Sequence, residues 1–438
     1  MKKTKIFKFL ISIFLTITIS FSAVAITLDD ALNMAYLNNN SLKSQRISLE
    51  TAQREAQAKW NIFLPSITVG GGLTNKHFSD NSSNTWNWNA QGGISLSLTA
   101  GIPARLEKAA LAYELAKNTY QTTEQNIAKQ VVSSFYNLIA EAQNISILED
   151  SLDLSKRQYE QTKRNYNNGL ASELSLLQAQ YAYLSSEPVL EKARTTYQTN
   201  LKSFQTLLGS SEQIIPEGEL LLNKLNLPSS NELIDKYLEN RLDVIKNKIT
   251  LEQAKNTKKM QGLDSLSPSV NLSENLNLSP SNNIASSDKK FSPSGTFSVS
   301  VSIPVDAYIP GSSKNLALKS LDDNISIAQI SLDTVKTQAK QDIESNINNI
   351  NQLWNTINIA ELNLSITNRA YQLSKESYNA GLISQTDLDE SRQQMITARQ
   401  NVINSKSTYI VSVFNLATSL NIQVSELIDL FTDNNTKN

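Results

Sequence analysis

The chain has 438 residues, a formal net charge of −1, no cysteine and only 7% aromatic residues. Its length exceeds that of a usual single domain. The lack of cysteine excludes disulfides from the fold, and the mildly acidic balance argues against nucleic acid as a partner.

Residues 1–25 have the pattern of a secretory signal peptide. Four lysines come first, and an apolar run from Phe9 to Phe21 leads to the small-residue cleavage site Ala23-Val24-Ala25. The run is shorter than the ~20 residues that a spanning helix needs, which favours a cleaved signal over a retained anchor. Removing the four lysines takes the formal charge from −1 to −5.

The first repeat is predicted to cover residues 26–209. It opens with a helix from Leu28 towards Trp60. The sequence Leu64-Pro65-Ser66 ends this helix, because proline breaks a helix and makes the residue before it extended. Apolar residues at every second position then predict a strand hairpin over about 66–98.

Two long helices are predicted to complete this repeat. The first has neither Pro nor Gly between Ala104 and Gly169, so it would be roughly 95 Å long. The second returns to about Leu208, with a bend or break expected at Pro188 and a cap at Gly209.

The same order is predicted a second time. A connector of residues 210–229 precedes the second repeat, residues 230–420, whose strand hairpin covers about 268–304. Residues 421–438 are predicted to be a polar, frayed tail.

Two matching turns, residues 166–172 and 378–384, identify the duplication. Both read Tyr-x-x-Gly-x-x-Ser, and their glycines, Gly169 and Gly381, are 212 residues apart (381 − 169). Ahead of each turn, apolar or aromatic residues recur every seven positions at the same offset: Val131, Leu138, Ile145, Leu152 and Tyr159, then Ile343, Ile350, Ile357, Leu364 and Tyr371. Sustained heptads predict coiled-coil-like packing, and a tandem duplication explains the length.

The four strands leave two interpretations open. Each has nearly the ~9–11 residues that cross a bilayer, with one apolar and one polar face. Four strands cannot close a barrel alone, so either several chains close one together or the hairpins are soluble ends of a rod. Glu274 falls on the apolar face of its strand, a position that lipid contact would disfavour.

These features together resemble the outer-membrane efflux protein family, the TolC-like channel-tunnels. The shared pattern is an export signal followed by two repeats of helix, strand hairpin and long helical hairpin, from about Ile26 to Leu420. The resemblance implies a mainly α fold with a small membrane β-barrel contribution. Duplicated hairpins would form a coiled-coil-like α-barrel, and a homotrimer would close a twelve-stranded barrel in the outer membrane.

The function implied is that of a passive duct extending from the outer membrane into the periplasm. Its partners would be outer-membrane lipid, a periplasmic adaptor protein and an inner-membrane pump, in a tripartite efflux or type I secretion system. From the residues alone, a non-pore structural or adhesive coiled-coil surface protein is the alternative. No nucleophile-and-base pair is present and His77 is the only histidine, so we expect no catalysis, no cofactor and no multi-histidine metal site.

The resemblance also implies a gate at the second turn. Asp387 and Glu390 match two acids that form a cation-sensitive constriction in the family, whereas Asp389 is additional and is expected to face elsewhere. Residues three apart share a helix face, so two rings one turn apart are physically sensible. The structural alternative is that acids in a first turn complement the helix dipole.

A polar tie between neighbouring tip helices is implied as well, with Tyr378 as its tyrosine. The usual aspartate partner falls on Ser175 and a customary arginine on Ile383, so this tie is predicted to be shortened or lost. For Tyr166 and Tyr378 the alternative is heptad packing. Trp86 and Trp88, near the end of a strand, are candidates for an aromatic girdle.

Overall fold

The computed structural model describes residues 24–76, 85–212, 214–220, 222, 224–280 and 291–431. Most of the predicted signal peptide, His77 and the last residues of the predicted tail lie outside the described part of the chain. So do most of the two polar loops that join the strands of each hairpin.

Long helices make up most of the described chain. The two longest, each followed by a return helix, have 66 and 67 residues and correspond to the heptad segments of the two repeats. In chain order the helices are α1 (Leu28–Asn38), α2 (Asn40–Gln57), α3 (Ile102–Asn167), α4 (Glu173–Leu208), α5 (Ser230–Tyr237), α6 (Leu242–Leu266), α7 (Ser313–Asn379), α8 (Gln385–Leu420) and α9 (Val424–Phe431). Short 3-10 turns cover Ala58–Phe63, Leu238–Asn240 and Asp306–Tyr308.

The described residues form six strands in two sheets. They are β1 (Val24–Ile26), β2 (Ser66–Lys76), β3 (Thr85–Leu98), β4 (Ile214–Pro216), β5 (Ser269–Pro280) and β6 (Phe291–Ser302). The larger sheet is antiparallel in the order β2-β3-β5-β6, so the two predicted hairpins join through β3 and β5. Its edge strands are β2 and β6.

Apolar and polar residues alternate along the strands of the larger sheet, so its two faces differ. Cross-strand partners such as Ile94, Glu274 and Phe297 lie on one face, whereas Ser95, Ser273 and Ser298 lie on the other. The apolar face is uncovered in the single chain, with exposed fractions reaching 89% at Val69.

The chain divides into two compact units. Unit 1 consists of Met1–Asn39, Gln130–Leu222 and Thr356–Ile410. Within it, the smaller sheet pairs β1 with β4 in parallel, and Phe135 of α3 packs against Phe204 of α4 with ring centroids 6.3 Å apart. The predicted connector therefore contains a strand that the sequence analysis did not anticipate.

Unit 2 consists of Asn40–Lys129, Asn223–Asn355 and Val411–Asn438, and contains the larger sheet. Its core includes a cluster of buried residues from the Leu238–Asn240 turn, α6 and α7: Leu238, Val244, Leu251, Leu332 and Ala339. Apolar positions at helical spacing produce this cluster, because they bury one stripe of each helix.

The predicted single helix from Leu28 to Trp60 is wrong, since the chain is extended at Asn39. The Asn39 side-chain amide donates to the Leu207 carbonyl (2.8 Å) at the end of α4, where a helix leaves carbonyls without partners. Gly209 follows with φ +67°, and a Cβ there would lie 2.6 Å from the Asn38 carbonyl oxygen. This close approach requires glycine.

Three further expectations need correction. The predicted helix from Asn231 to Gln261 is split, because Arg241 is extended between the Leu238–Asn240 turn and α6. The predicted polar tail contains the amphipathic helix α9, whose Leu427 is buried. Of the bend or break predicted at Pro188, the break is absent, because α4 continues through that residue, and the bend stays a prediction.

Candidate functional site

The two turns have nearly identical backbones. Gly169 and Gly381 have φ +73° and +75°, the left-handed conformation that favours glycine. Each glycine amide donates 2.9 Å to the carbonyl of the tyrosine three residues earlier. The next amide, of Leu170 or Leu382, donates back to the carbonyl of Asn165 (2.8 Å) or Ser377 (2.9 Å). These two hydrogen bonds form a Schellman motif, which ends a helix by satisfying its last carbonyls.

The helices that follow are capped differently at the two turns. At the first, the Ser172 hydroxyl accepts from the Ser175 amide (3.2 Å), and the two hydroxyls lie 2.9 Å apart. At the second, Ser384 Oγ accepts from the Asp387 amide (3.2 Å), while Asp387 Oδ2 accepts from the Ser384 amide (3.0 Å) and hydroxyl (2.7 Å). The second turn thus has a reciprocal capping box.

Asp387 therefore has a structural role that the dipole alternative partly anticipated. Hydrogen bonds from the Ser384 hydroxyl and then from its backbone amide hold the Asp387 pKa below its ordinary range. Its side chain is nevertheless exposed, so a charged carboxylate stands at the surface of the turn.

Glu390 is also exposed, one turn further along α8. It lines a groove of about 420 Å³ with polar side chains of α7 and α8: Asn363, Thr367, Gln393, Gln394, Thr397 and Asn401. Asp387 does not line this groove. The two candidate gate residues are therefore both accessible, but they have different surroundings.

Asp389 faces the helix packing. Its Oδ1 lies 2.7 Å from Arg392 Nη2, with only 20% and 9% of the two side chains exposed. Its Oδ2 accepts from Gln385 Nε2 (3.1 Å), and Gln385 Oε1 accepts from Gln158 Nε2 of α3 (2.9 Å). Sequence reasoning did not find this network. The only available signal was the i,i+3 spacing of Asp389 and Arg392.

The residues of the predicted tie make no hydrogen bond to each other in the described part of a single chain. Ser175 bonds to Ser172, and no hydrogen bond links it to Tyr378 in the described part of the chain. Tyr378 is half-buried, and Tyr166 is 39% exposed. Within a single chain, neither tyrosine forms a polar tie among the described residues.

Trp86 and Trp88 lie near one end of β3 on the apolar face, facing Asn75 and Leu73 of β2. Glu274 lies on that face too, between Ile94 and Phe297 on the flanking strands. A Cβ at Gly295 would be 3.2 Å from Glu274 Oε1, so the missing side chain leaves room for the carboxylate.

None of the described helices combines the length and apolar character needed to cross a membrane.

Duplicated long helical hairpins and an amphipathic four-stranded sheet form the fold that the resemblance to channel-tunnel proteins implies. A family model described as outer membrane efflux protein matches residues 31–210 and 233–421. The chain therefore belongs to the outer membrane efflux protein family.

Individual relatives share little sequence identity with the chain, and the length of the match differs between them. The chain is 20% identical to the outer membrane protein TolC of Vibrio cholerae over 406 residues, which cover 91% of each protein. It is 23% identical to the cobalt-zinc-cadmium resistance protein CzcC of Cupriavidus metallidurans, over 50% of this chain and 51% of that protein. The fold resembles the CmeC outer membrane channel of Campylobacter jejuni with a TM-score of 0.73, at 17% identity over 92% of this chain and 88% of CmeC.

These findings confirm the predicted class of fold, function and location. The chain is the outer-membrane channel component of an efflux system and extends into the periplasm. Its family is channel-forming and is not an enzyme family.

Proposed function

We propose that three copies of this chain form one passive duct, through which an inner-membrane pump, joined by a periplasmic adaptor, expels its substrates. The observation that carries this proposal is the four-stranded sheet with an uncovered apolar face and two edge strands. Edge strands cannot remain open within hydrocarbon, so β2 and β6 need partners. Pairing β6 of one copy with β2 of the next would give a closed barrel of twelve strands.

Strand length and chemistry support a membrane location for this barrel. The four strands have 11, 14, 12 and 12 residues, enough to cross a bilayer at the usual tilt. The apolar face would meet lipid and the face of Ser, Thr, Asn and Gln would line the lumen. Trp86 and Trp88 would then belong to an aromatic girdle at one membrane interface.

The helices of unit 1 support assembly independently. On α4 and in the turn before it, exposed apolar residues recur at alternating spacings of four and three: Leu170, Leu174, Leu177, Tyr181 and Leu184. On α7 a similar exposed set comprises Ile359, Leu362, Ile366 and Leu373. These are heptad seams without a cover in one chain, and helices of neighbouring copies would cover them.

We place the constriction and the adaptor contact at the two turns. In a trimer, three copies of Asp387 would form one ring of negative charge and three copies of Glu390 would form another. Such rings attract cations and narrow the duct. Leu170 and Leu382 are each 77% exposed at the tips of the turns. Such uncovered leucines suit an apolar contact with a partner protein.

Disulfide cross-linking tests the assembly directly, because the chain has no cysteine of its own. One cysteine on β2 is combined with one on β6, in a panel that starts with Thr68→Cys and Ser298→Cys. Oxidation in outer-membrane fractions is expected to produce covalent dimers and trimers. A control pair at Ser95 and Ser273, which face each other across β3 and β5, should cross-link only within one chain.

Conductance completes the test. The purified protein is expected to form detergent-resistant trimers and ion channels in planar bilayers. A monomer without conductance, whose β2–β6 pairs never cross-link between chains, would refute the proposal.

Cross-linking of cells carrying a Leu382→Cys variant should capture the adaptor, and a Val189→Cys variant away from the turn serves as the control.

A further inference from the structure

Two exposed seams of unit 1 match each other position by position. The α4 seam consists of the residues 5, 8, 12 and 15 positions after Gly169: Leu174, Leu177, Tyr181 and Leu184. The α7 seam consists of the residues at the same distances before Gly381: Glu376, Leu373, Arg369 and Ile366. All of them are exposed, and spacings of three and four place each set along one stripe of its helix. Two uncovered stripes with the same spacing suit packing of one helix against the other.

Side-chain contacts place the two seams on different helices at the sides of unit 1. The contacts are Arg194–Glu149 between α4 and α3 (2.7 Å), Gln158–Gln385 between α3 and α8 (2.9 Å) and Lys406–Glu361 between α8 and α7 (2.7 Å). Beside the turns, Gln178 of α4 also donates to Thr386 of α8 (3.2 Å). The contacts therefore run in the order α4-α3-α8-α7, and the seams belong to the two ends of this series.

Each seam points away from the packing face of its own helix. Successive residues of an α-helix are about 100° apart. On α4 the buried residue Ala179 therefore lies about 200° from Leu177, and on α7 the buried residue Ile357 lies about 180° from Ile366. Packing within one chain thus leaves both seams uncovered.

Antiparallel packing of the two seams would bring matching residues together. Helix α7 runs into its turn and α4 runs out of its turn, and both rise 1.5 Å per residue. Residues at equal distances from the turn glycines are therefore level when the two turns lie side by side. In this register Leu177 meets Leu373, and Leu184 meets Ile366.

The layer between these two apolar pairs would join an aromatic ring and a cation. Tyr181 is 76% exposed, and Arg369, at the matching position of α7, is exposed as well. A guanidinium over the face of a tyrosine ring makes a favourable cation–π contact. A charged residue within an apolar seam also specifies the register, because a shift along the helix would place Arg369 against a leucine.

We propose that the α4 seam of one copy packs antiparallel against the α7 seam of the next copy, in the register that pairs Tyr181 with Arg369. This inference rests on the proposed trimer and adds the partner helix and its alignment. A second copy is the favoured occupant, because both halves of the matched contact lie on one chain and differ from each other. Unlike surfaces that pair head to tail close into a ring when the rotation allows it, as three copies require.

Disulfide cross-linking tests the register, because the chain has no cysteine of its own. The level pair, Leu177→Cys with Leu373→Cys, is compared with Leu177→Cys with Ile366→Cys, whose second cysteine lies about 10 Å further along α7. Oxidation of outer-membrane fractions should link the level pair between chains into covalent dimers and trimers. The control pair should stay unlinked, since a disulfide needs Cα atoms within about 7 Å of each other.

The β2–β6 pair, Thr68→Cys with Ser298→Cys, reports assembly independently. If that pair cross-links and the level helix pair does not, this inference is overturned and the trimer stands. If neither pair cross-links, the trimer fails with it. Linking of the level pair within one chain, or of Leu177→Cys to a different protein, also overturns the inference.

A charge swap tests the central layer. Tyr181→Arg would place two guanidinium groups at one level, so in the level-pair background it should lower the yield of cross-linked chains by about fivefold or more. Tyr181→Arg combined with Arg369→Tyr restores one ring and one cation, and should recover that yield. An unchanged yield in Tyr181→Arg, or no recovery in the combined variant, would show that these two residues do not face each other.

Discussion

Ser384 and Asp387 bond to each other reciprocally at the start of α8, through the Ser384 amide (3.0 Å) and hydroxyl (2.7 Å) and the Asp387 amide (3.2 Å). The residue proposed to bear the gate charge is therefore also the residue that completes the helix cap. Alanine at position 387 would disturb both functions together. The first turn offers a way to separate them, since Ser175 occupies the corresponding position there.

The variant Asp387→Ser should remove the charge and keep a cap of the kind seen at Ser172 and Ser175 (2.9 Å). We expect weaker block of bilayer conductance by multivalent cations and an unchanged melting temperature. Combining it with Glu390→Gln should weaken the block further. Conversely, Ser175→Asp should strengthen the block, because it adds an acid at the other turn. Unchanged block in all three proteins would exclude these positions from the pore.

The pH dependence of the block should report the Asp387 environment. Its folded-state pKa is lowered, so its charge and its contribution to stability persist above the unfolded pKa and are lost as pH falls through the folded value. In a Glu390→Gln background, the cation block should therefore survive down to pH values below the ordinary aspartate range. Adding Ser384→Ala removes the largest cause of the shift and should move the loss of block to higher pH. A midpoint unaffected by Ser384→Ala would contradict this assignment.

The ion pair of Asp389 and Arg392 should matter through packing. Arg392→Met leaves the Asp389 carboxylate nearly buried without its cation, which costs on the order of 3 kcal/mol. We expect a lower melting temperature, and substantial recovery in the double variant Arg392→Met with Asp389→Leu. The exposed pair of Arg157 and Asp153 is a matched control, where Arg157→Met should cost under about 1 kcal/mol.

Glu274 should limit the stability of the assembled barrel. It lies between Ile94 and Phe297 on the apolar face, so Glu274→Leu should increase the fraction of trimer that survives heating in detergent. Glu274→Lys should reduce that fraction, because a lysine at the bilayer midplane costs roughly 2–4 kcal/mol and a glutamate costs less. Asn275→Leu changes the neighbouring residue on the polar face and should not stabilise the trimer. If it does so as much as Glu274→Leu, the assignment of the two faces is wrong.

The two turn glycines should be equally sensitive to a side chain. A Cβ at Gly169 or Gly381 would contact nothing within 4 Å, so crowding is not the reason for glycine. The cost of Gly169→Ala or Gly381→Ala should be about 1–2 kcal/mol each, from the left-handed backbone alone. Asparagine should cost less at both sites. Thermal unfolding of the four variants checks this, and a large difference between the two alanine variants would indicate an unseen contact.

Features that depend on neighbouring residues along the chain were predictable. Helix length, strand alternation and the glycine turns follow from local periodicity and backbone preference, so the two hairpins could be located from the sequence. The continuity of α4 through Pro188 and the extended residue Asn39 were not predictable in this way. The Asn39 side chain donates to the Leu207 carbonyl, 168 positions away, and local periodicity does not encode such a partner.

The sequence by itself therefore determined the duplication, the two turns and the two faces of the sheet. The duplication shows as a match at an offset of 212 residues, and each turn and strand face follows from a local pattern of a few residues. Only the tertiary structure decided which acid near the second turn is free. In the folded chain, Asp389 pairs with Arg392 and contacts Gln385. Gln385 in turn bonds to Gln158, which is 227 positions away. Asp387 and Glu390 remain exposed. The tertiary structure also brought Asp342 to Arg241 across 101 positions. Such partners depend on how helices pack against each other, and no local period encodes that.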